Sequence, residues 1–447
     1  MPRASLAALL SLLACCPAEC SWLSWVRGVA FPRVALPREA PPTTVVALGP
    51  LTGEWVLPPG ATRRVARFLG VPYGADTGGS GRWAPPRSPP PWGLAPLVAT
   101  AWGPACVQAF QRDDPDSAAV VSEDCLSLNV FTPVLGTTPR KPPAPVMLFF
   151  HGGAFVAGSS RGPWSAYDCS GVAARAGVVC VTANYRLDAL GWLVTSPPKN
   201  HTRRSGDAGD WATGNYGLLD QRAALRWVAD NIAAFGGDPA AVTLWGESAG
   251  AMSGLVHLAS PPSQGLFARV IGQSNPAGFS YMTPDYMAVY GDALASKVGC
   301  AKPPRGFASP LDCLRATPAD ALMNASLAVV KSYYDVARGS GWTVVDGMLQ
   351  WGPVVDGTQL PAQPMEAVKE LSLPKVDVLV GHNTDEVATF VDGSFYARSF
   401  PTTLRDTVLL SIFGVRGALA VASTYANSGL DGLDELDAIM TGARAGR

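Results

Sequence analysis

Ser248 stands at the centre of Gly246-Glu247-Ser248-Ala249-Gly250, directly after the apolar run Ala241 to Trp245. A serine hydroxyl is a weak nucleophile at neutral pH and needs a neighbouring base to take its proton. A Gly-x-Ser-x-Gly between a buried strand and an apolar helix makes a nucleophile elbow, in which glycines allow the sharp reversal and the hydroxyl is raised at the strand's end. The chemistry such a serine suits is attack on a carbonyl carbon. That attack needs donors for the oxygen that becomes negative, and His151-Gly152-Gly153-Ala154-Phe155 offers them. Glycines in Gly152-Gly153-Ala154 let two backbone N–H groups converge on one point, with the N–H of Ala249 as a third donor. Losing one such donor typically costs ~3–4 kcal/mol of transition-state stabilisation. An ordinary strand–turn–helix serine and a plain Gly-Gly turn are the alternatives, and the surrounding elements have to decide between them.

Those elements become regular from residue 145. Val146-Met147-Leu148-Phe149-Phe150 and Val178-Val179-Cys180-Val181-Thr182 are continuous apolar runs, as expected of strands buried on both faces. Leu218, Leu225, Val228, Ile232 and Phe235 recur at helical spacing, with Asp220, Arg222, Arg226 and Asp230 opposite, which predicts an amphipathic helix. Gly236-Gly237-Asp238-Pro239 ends it and turns the chain into the elbow strand. A helix over Ala249 to Leu258, a strand over Phe267 to Gly272, helices over 284–298 and 317–331, and a strand over Val376 to Val380 follow. The alternation predicts an α/β fold with an open, largely parallel sheet covered on both faces. In such sheets functional groups gather at the carboxyl ends of the strands. Upstream, Thr43 to Leu48 is weakly strand-like, and the Pro/Gly-rich stretch after Phe68 to Gly74 reads as extended loop in which Trp83 and Trp92 must pack.

The 447 residues are 48% hydrophobic with a net charge of −1, enough for a large core. No basic or acidic run points to nucleic acid or an anionic membrane. Met1-Pro2-Arg3 and the apolar Ala4 to Ala14, followed by Cys15-Cys16-Pro17-Ala18, have the pattern of a signal peptide over residues 1–18. Residues 19–447 are then one domain of a secreted protein, with no later membrane-spanning segment expected. Nine cysteines suit an oxidising compartment. Cys106 with Cys125, and Cys300 with Cys313, are locally spaced pairs that would each clip a loop. Cys180 reads as a buried thiol, and the pairing of Cys20, Cys169 and Cys180 is open. Sequons at Asn200 and Asn324 agree with export.

The run from Gly214-Asn215-Tyr216-Gly217 through Asp220-Gln221 and Phe235-Gly236-Gly237-Asp238-Pro239 to the elbow closely resembles the type-B carboxylesterases, which include the cholinesterases and belong to the α/β-hydrolase superfamily. Glu123-Asp124-Cys125-Leu126-Ser127-Leu128-Asn129, Asn184-Tyr185-Arg186 and Pro353-Val354-Val355-Asp356-Gly357 agree. The resemblance implies Ser248 as nucleophile and Glu386 as triad acid, Gly153, Ala154 and Ala249 as oxyanion donors, and disulfides Cys106–Cys125 and Cys300–Cys313. It implies no metal and no organic cofactor, and a small carboxylic ester as substrate. Ala154 stands where many members have a third glycine, so the acyl side is expected to narrow slightly. Val387 and Asn275 also replace usual glycines. The Cys106–Cys125 segment has no tryptophan, which argues against a choline ester specialist.

The same family orders its triad Ser, then Asp or Glu, then His. The four histidines, His151, His201, His257 and His382, all precede Glu386. None matches the family's base position, so the chain is expected to be C-terminally incomplete, lacking the final strands and helices of the fold. The reading is a secreted carboxylic ester hydrolase working through a Ser248 acyl-enzyme. A non-catalytic adhesion or binding protein on the same scaffold, as in the neuroligins, is the alternative. Those relatives generally lose the serine kept here.

Overall fold

The computed structural model describes residues 40–108, 121–133, 135, 142–197, 211–340, 349–370 and 373–383. The signal-peptide segment, Cys20, the Asn200 sequon, His201 and Glu386 lie outside them.

One eight-stranded sheet organises the described chain. Its strands are β1 (Glu54–Val56), β2 (Val65–Pro72), β3 (Ser127–Thr132), β4 (Ala144–Phe150), β5 (Val179–Ala183), β6 (Gly237–Glu247), β7 (Arg269–Gln273) and β8 (Asp377–Gly381). Their spatial order is β8-β7-β6-β4-β5-β3-β2-β1. The pairs from β5 through β8 are all parallel. Those joining β5, β3, β2 and β1 are antiparallel, so a parallel block over the residues read as parallel is extended by antiparallel strands from upstream.

The antiparallel half was hidden by polar residues that folding buries. All of β3 is buried although Ser127, Asn129 and Thr132 alternate with its apolar residues. Asn129 is satisfied inside the sheet, donating to Ser160 and Thr182 and accepting from the Gly70 N–H. A polar side chain whose bonding capacity is met loses little on burial.

Side chains alternate between two apolar layers. Val65, Leu69, Phe131 and Cys180 face helix α1 (Ser170–Ala176) through Ala173 and Ala174. Phe68, Val130, Val181, Leu148 and Leu244 enter the larger core, with α3 (Tyr216–Asn231) and α4 (Ala249–Ala259) contributing Leu225, Val228, Met252 and Val256. The short α2 (Asp188–Trp192) lies between β5 and α3 in the chain and is buried throughout. Helices α5 (Pro284–Lys297), α6 (Pro310–Ala316) and α7 (Ala319–Ser340) follow β7.

Helix α3 is not simply amphipathic. Arg226 and Asp230 are exposed, but Asp220 and Arg222 are buried on its other flank. Asp220 accepts from Arg186 Nε at 2.7 Å and Nη2 at 2.8 Å, clamping the end of β5 to the helix. Arg222 donates to Ser263, Ser260 and Gln359. Burial raises the Asp220 carboxyl while the Arg186 guanidinium lowers it. Charges at helical spacing opposite an apolar stripe therefore bind other elements here as well as water.

Cys106–Cys125 and Cys300–Cys313 stand at disulfide distance, with Cα separations of 5.0 and 5.5 Å. A third pair, Cys169 and Cys180, does so too, with Cα atoms 6.1 Å apart. Cys180 is fully buried as expected, but it is not an isolated thiol, because the start of α1 brings Cys169 over the strand. Trp83 and Trp92 are anchored by indole bonds to Ala189 O and Pro50 O.

Candidate active site

Ser248 joins the carboxyl end of β6 to the first turn of α4 with φ +54° and ψ −120°. A non-glycine residue in that region is strained and persists only where neighbours determine it. They do so here: the Ser248 N–H donates to Gln273 O at 3.0 Å, and its carbonyl accepts from Met252 N at 2.9 Å. Neither elbow glycine has positive φ. Sequence reasoning assigned the reversal to glycine freedom, but the serine itself takes the strained conformation and the glycines serve close packing. A methyl on Gly250 would overlap the Phe150 carbonyl, and one on Gly246 would lie 2.7 Å from the same oxygen. The elbow is thereby wedged against the end of β4.

The loop after β4 comes to the same place. A Cβ on Gly152 would lie 3.2 Å from Ser248 Cβ and 2.6 Å from Glu247 Oε2. Gly153 turns at φ +109° and Ala154 at φ +53°, in a turn closed by Val156 N and Ala157 N on Gly153 O. Among the described residues nothing accepts from the N–H of Gly153 or Ala154. The N–H of Ala249, first in its helix, precedes any intrahelical acceptor. Ala154 is thus a β-carbon held in the left-handed region, a larger departure than a change confined to side-chain size.

Tyr185 and His151 support this loop. Tyr185 donates to His151 O at 2.7 Å, and the two rings stack at 4.4 Å. His151 Nδ1 lies 2.9 Å from Gly152 O, which makes Nδ1–H the donor. Burial drives the His151 imidazole down to about 4. His257 is equally committed, with Nδ1 on Ser263 Oγ and Nε2 on Gln221 Oε1, and burial first, then Arg222, take it down to about 3. Gln221 donates onward to Ser253 Oγ, which donates to Ala249 O, so Gln221 of α3 ties His257 and Ser253, one turn apart on α4, to its own helix. His382 is exposed beyond β8 with Nδ1 against Asn383 O. Among the described residues no hydrogen bond joins a histidine to Ser248. Nor does any cluster there suit a metal ion.

The structure therefore places the elbow of Ser248 and Ala249 against Gly152 at the carboxyl ends of β4 and β6, with Gly153 and Ala154 following Gly152 in the same turn. Glu386 falls outside the described residues.

A family model described as the carboxylesterase family matches residues 40–413. Human neuroligin-2 is 35% identical over 365 residues, 74% of this chain and 39% of that protein. Mouse carboxylesterase 1D is 35% identical over 358 residues, 78% of this chain and 59% of that protein. The chain thus spans less than two thirds of the length of these curated relatives. A PNB esterase structure superposes with a TM-score of 0.68 at 30% identity, covering 90% of this chain and 75% of that one.

Proposed function

The chain belongs to the carboxylesterase family, and from that membership we propose that it carries the acyl-transfer centre of a carboxylic ester hydrolase. What supports this reading is the strained Ser248 elbow lying against Gly152, the residue that leads into the Gly153-Ala154 turn, with the N–H groups of Gly153 and Ala154 unbonded among the described residues and Ala249 at the helix start. Ser248 Oγ attacks the ester carbonyl carbon while a base takes its proton. The three N–H groups receive the oxyanion. The proton passes to the departing alkoxide as the C–O bond breaks, leaving an acyl-serine. Water repeats the sequence, restores the Ser248 hydroxyl and releases the acid. Glu386 is the proposed acid that orients the base. No described histidine occupies the base's place, and losing a base removes a factor of ~10⁶ in kcat in a serine protease. The substrate is a small carboxylic ester. The proposed setting is extracellular, with residues 1–18 as signal peptide and 19–447 as one domain. Among the described residues no helix is long and apolar enough to cross a membrane.

The likeness to neuroligin-2 favours a second reading, a non-catalytic binding protein on this scaffold. Hydrolysis of a short-chain aryl ester by the wild type and by Ser248→Ala separates the two. Turnover that disappears in the variant is the expected result. No serine-dependent turnover from folded protein would overturn the hydrolase reading for this chain.

A further inference from the structure

The far end of the donor loop is held by a side chain from the disulfide-closed segment. Gln108 Oε1 accepts from the Gly158 N–H at 2.9 Å, and its Nε2 donates to the Gly158 carbonyl at 3.0 Å. One primary amide thus meets both backbone groups of one residue, as a neighbouring strand would. Nε2 also donates to Cys106 O at 3.0 Å, and Cys106 pairs with Cys125. The bracket is therefore anchored at its own base. Among the described residues Gly158 has no other backbone partner.

Gly158 cannot move freely toward the site. It sits at φ +115°, and a methyl there would overlap the His151 ring nitrogen and lie 2.7 Å from Gly152 O. Its backbone packs directly behind the first two residues of the donor loop. The loop's start is held by Tyr185 on His151 O, and its middle by Asp188 N and Trp192 Nε1 on Phe155 O. Its return is held by Gln108.

We propose that Gln108 is a positioning residue for the oxyanion loop: by bracketing Gly158 from the disulfide segment, it keeps Gly152 to Ala154 in the turn that lies against the Ser248 elbow. This rests on the reading of those N–H groups as oxyanion donors. The amide suits the place because Gly158 and Cys106 present two carbonyls and one N–H to it. A carboxylate would set acceptor against acceptor, and an alkyl chain would leave all three unanswered.

The test compares full-length wild type with Gln108→Leu and Gln108→Glu by hydrogen exchange over 151–158, thermal melting, and short-chain aryl ester turnover. In both variants the loop amides should exchange at least about tenfold faster while the molecule still melts cooperatively. On an active wild type, kcat should fall about tenfold with KM nearly unchanged, as for a loss confined to the transition state. Acidification should return Gln108→Glu toward wild-type exchange, because the protonated carboxyl regains a donor, and should not rescue Gln108→Leu. Unchanged loop exchange in both variants would overturn the proposal, as would a loosened loop with unchanged kcat. A wild type without serine-dependent turnover would sink the hydrolase reading alone, since the exchange comparison still judges the bracket.

Discussion

The Cα of Gly250 packs against the carbonyl oxygen of Phe150 with no room for a methyl between them. Helix α4 and strand β4 meet at that contact, and the strained serine is carried on it. Gly250→Ala must push the helix off the strand or deform both. We expect a loss of about 3 kcal/mol or more, as for overpacking against backbone that cannot yield. Urea denaturation of the two proteins measures it, and equal midpoints would refute the wedge.

Ser248 spends its conformational strain on function, so removing its side chain should return some of it. Glycine occupies φ +54° without steric cost, whereas alanine does not. Ser248→Gly should therefore be more stable than Ser248→Ala by about 1 kcal/mol, while both lack serine-dependent turnover. Matching melting temperatures for the two would show the elbow unstrained.

His151, His257 and Asp188 shape the acid response. His151 and His257 have folded values of about 4 and about 3, below the ordinary 6.5. The unfolded chain therefore binds their protons first, and stability present above 6.5 is lost as pH falls toward those values. Each costs roughly 1.4 kcal/mol per pH unit in that window. Asp188 opposes them: burial raises its carboxyl from 3.8 to about 6, against bonds from Ser326 and Ala189 N. Its contribution is complete below 3.8 and lost as pH rises through about 6. Asp188→Asn keeps both accepted bonds and tolerates the local φ of +53°. It should stabilise the protein at neutral pH by about 2 kcal/mol, and the gain should vanish in acid. Urea midpoints across pH give both slopes; a gain independent of pH would refute the assignment to the carboxyl.

Ala154 places a β-carbon beside the donors at φ +53°. Ala154→Gly should relieve that strain and widen the acyl side. On an active wild type, kcat/KM for branched-acyl aryl esters should rise several-fold relative to acetyl esters. The same ratio in both proteins would remove Ala154 as a gate.

The sequence was most readable where chemistry and burial coincide. Apolar runs marked β4, β5 and β6, and the motifs beyond their ends named the residues that converge. It was least readable where burial is hydrogen-bonded. Asn129 in β3, and Asp220 and Arg222 on α3, look solvent-facing until their partners are known. Gln108 carried no signal at all, because its partner is a backbone segment fifty positions away. The elbow glycines were found for the wrong reason, since packing and conformational freedom select the same residue.

Strand β8 has a consequence outside catalysis. It is the outermost strand of the described sheet, with Val378, Leu379 and Val380 exposed by 51%, 64% and 66%. Among the described residues its outer side has no paired strand, and apolar side chains on such an edge favour self-association. Colloidal behaviour, rather than the serine, should then set the concentration at which this chain can be assayed. Static light scattering against dilution reads that directly, and Leu379→Lys should raise the threshold.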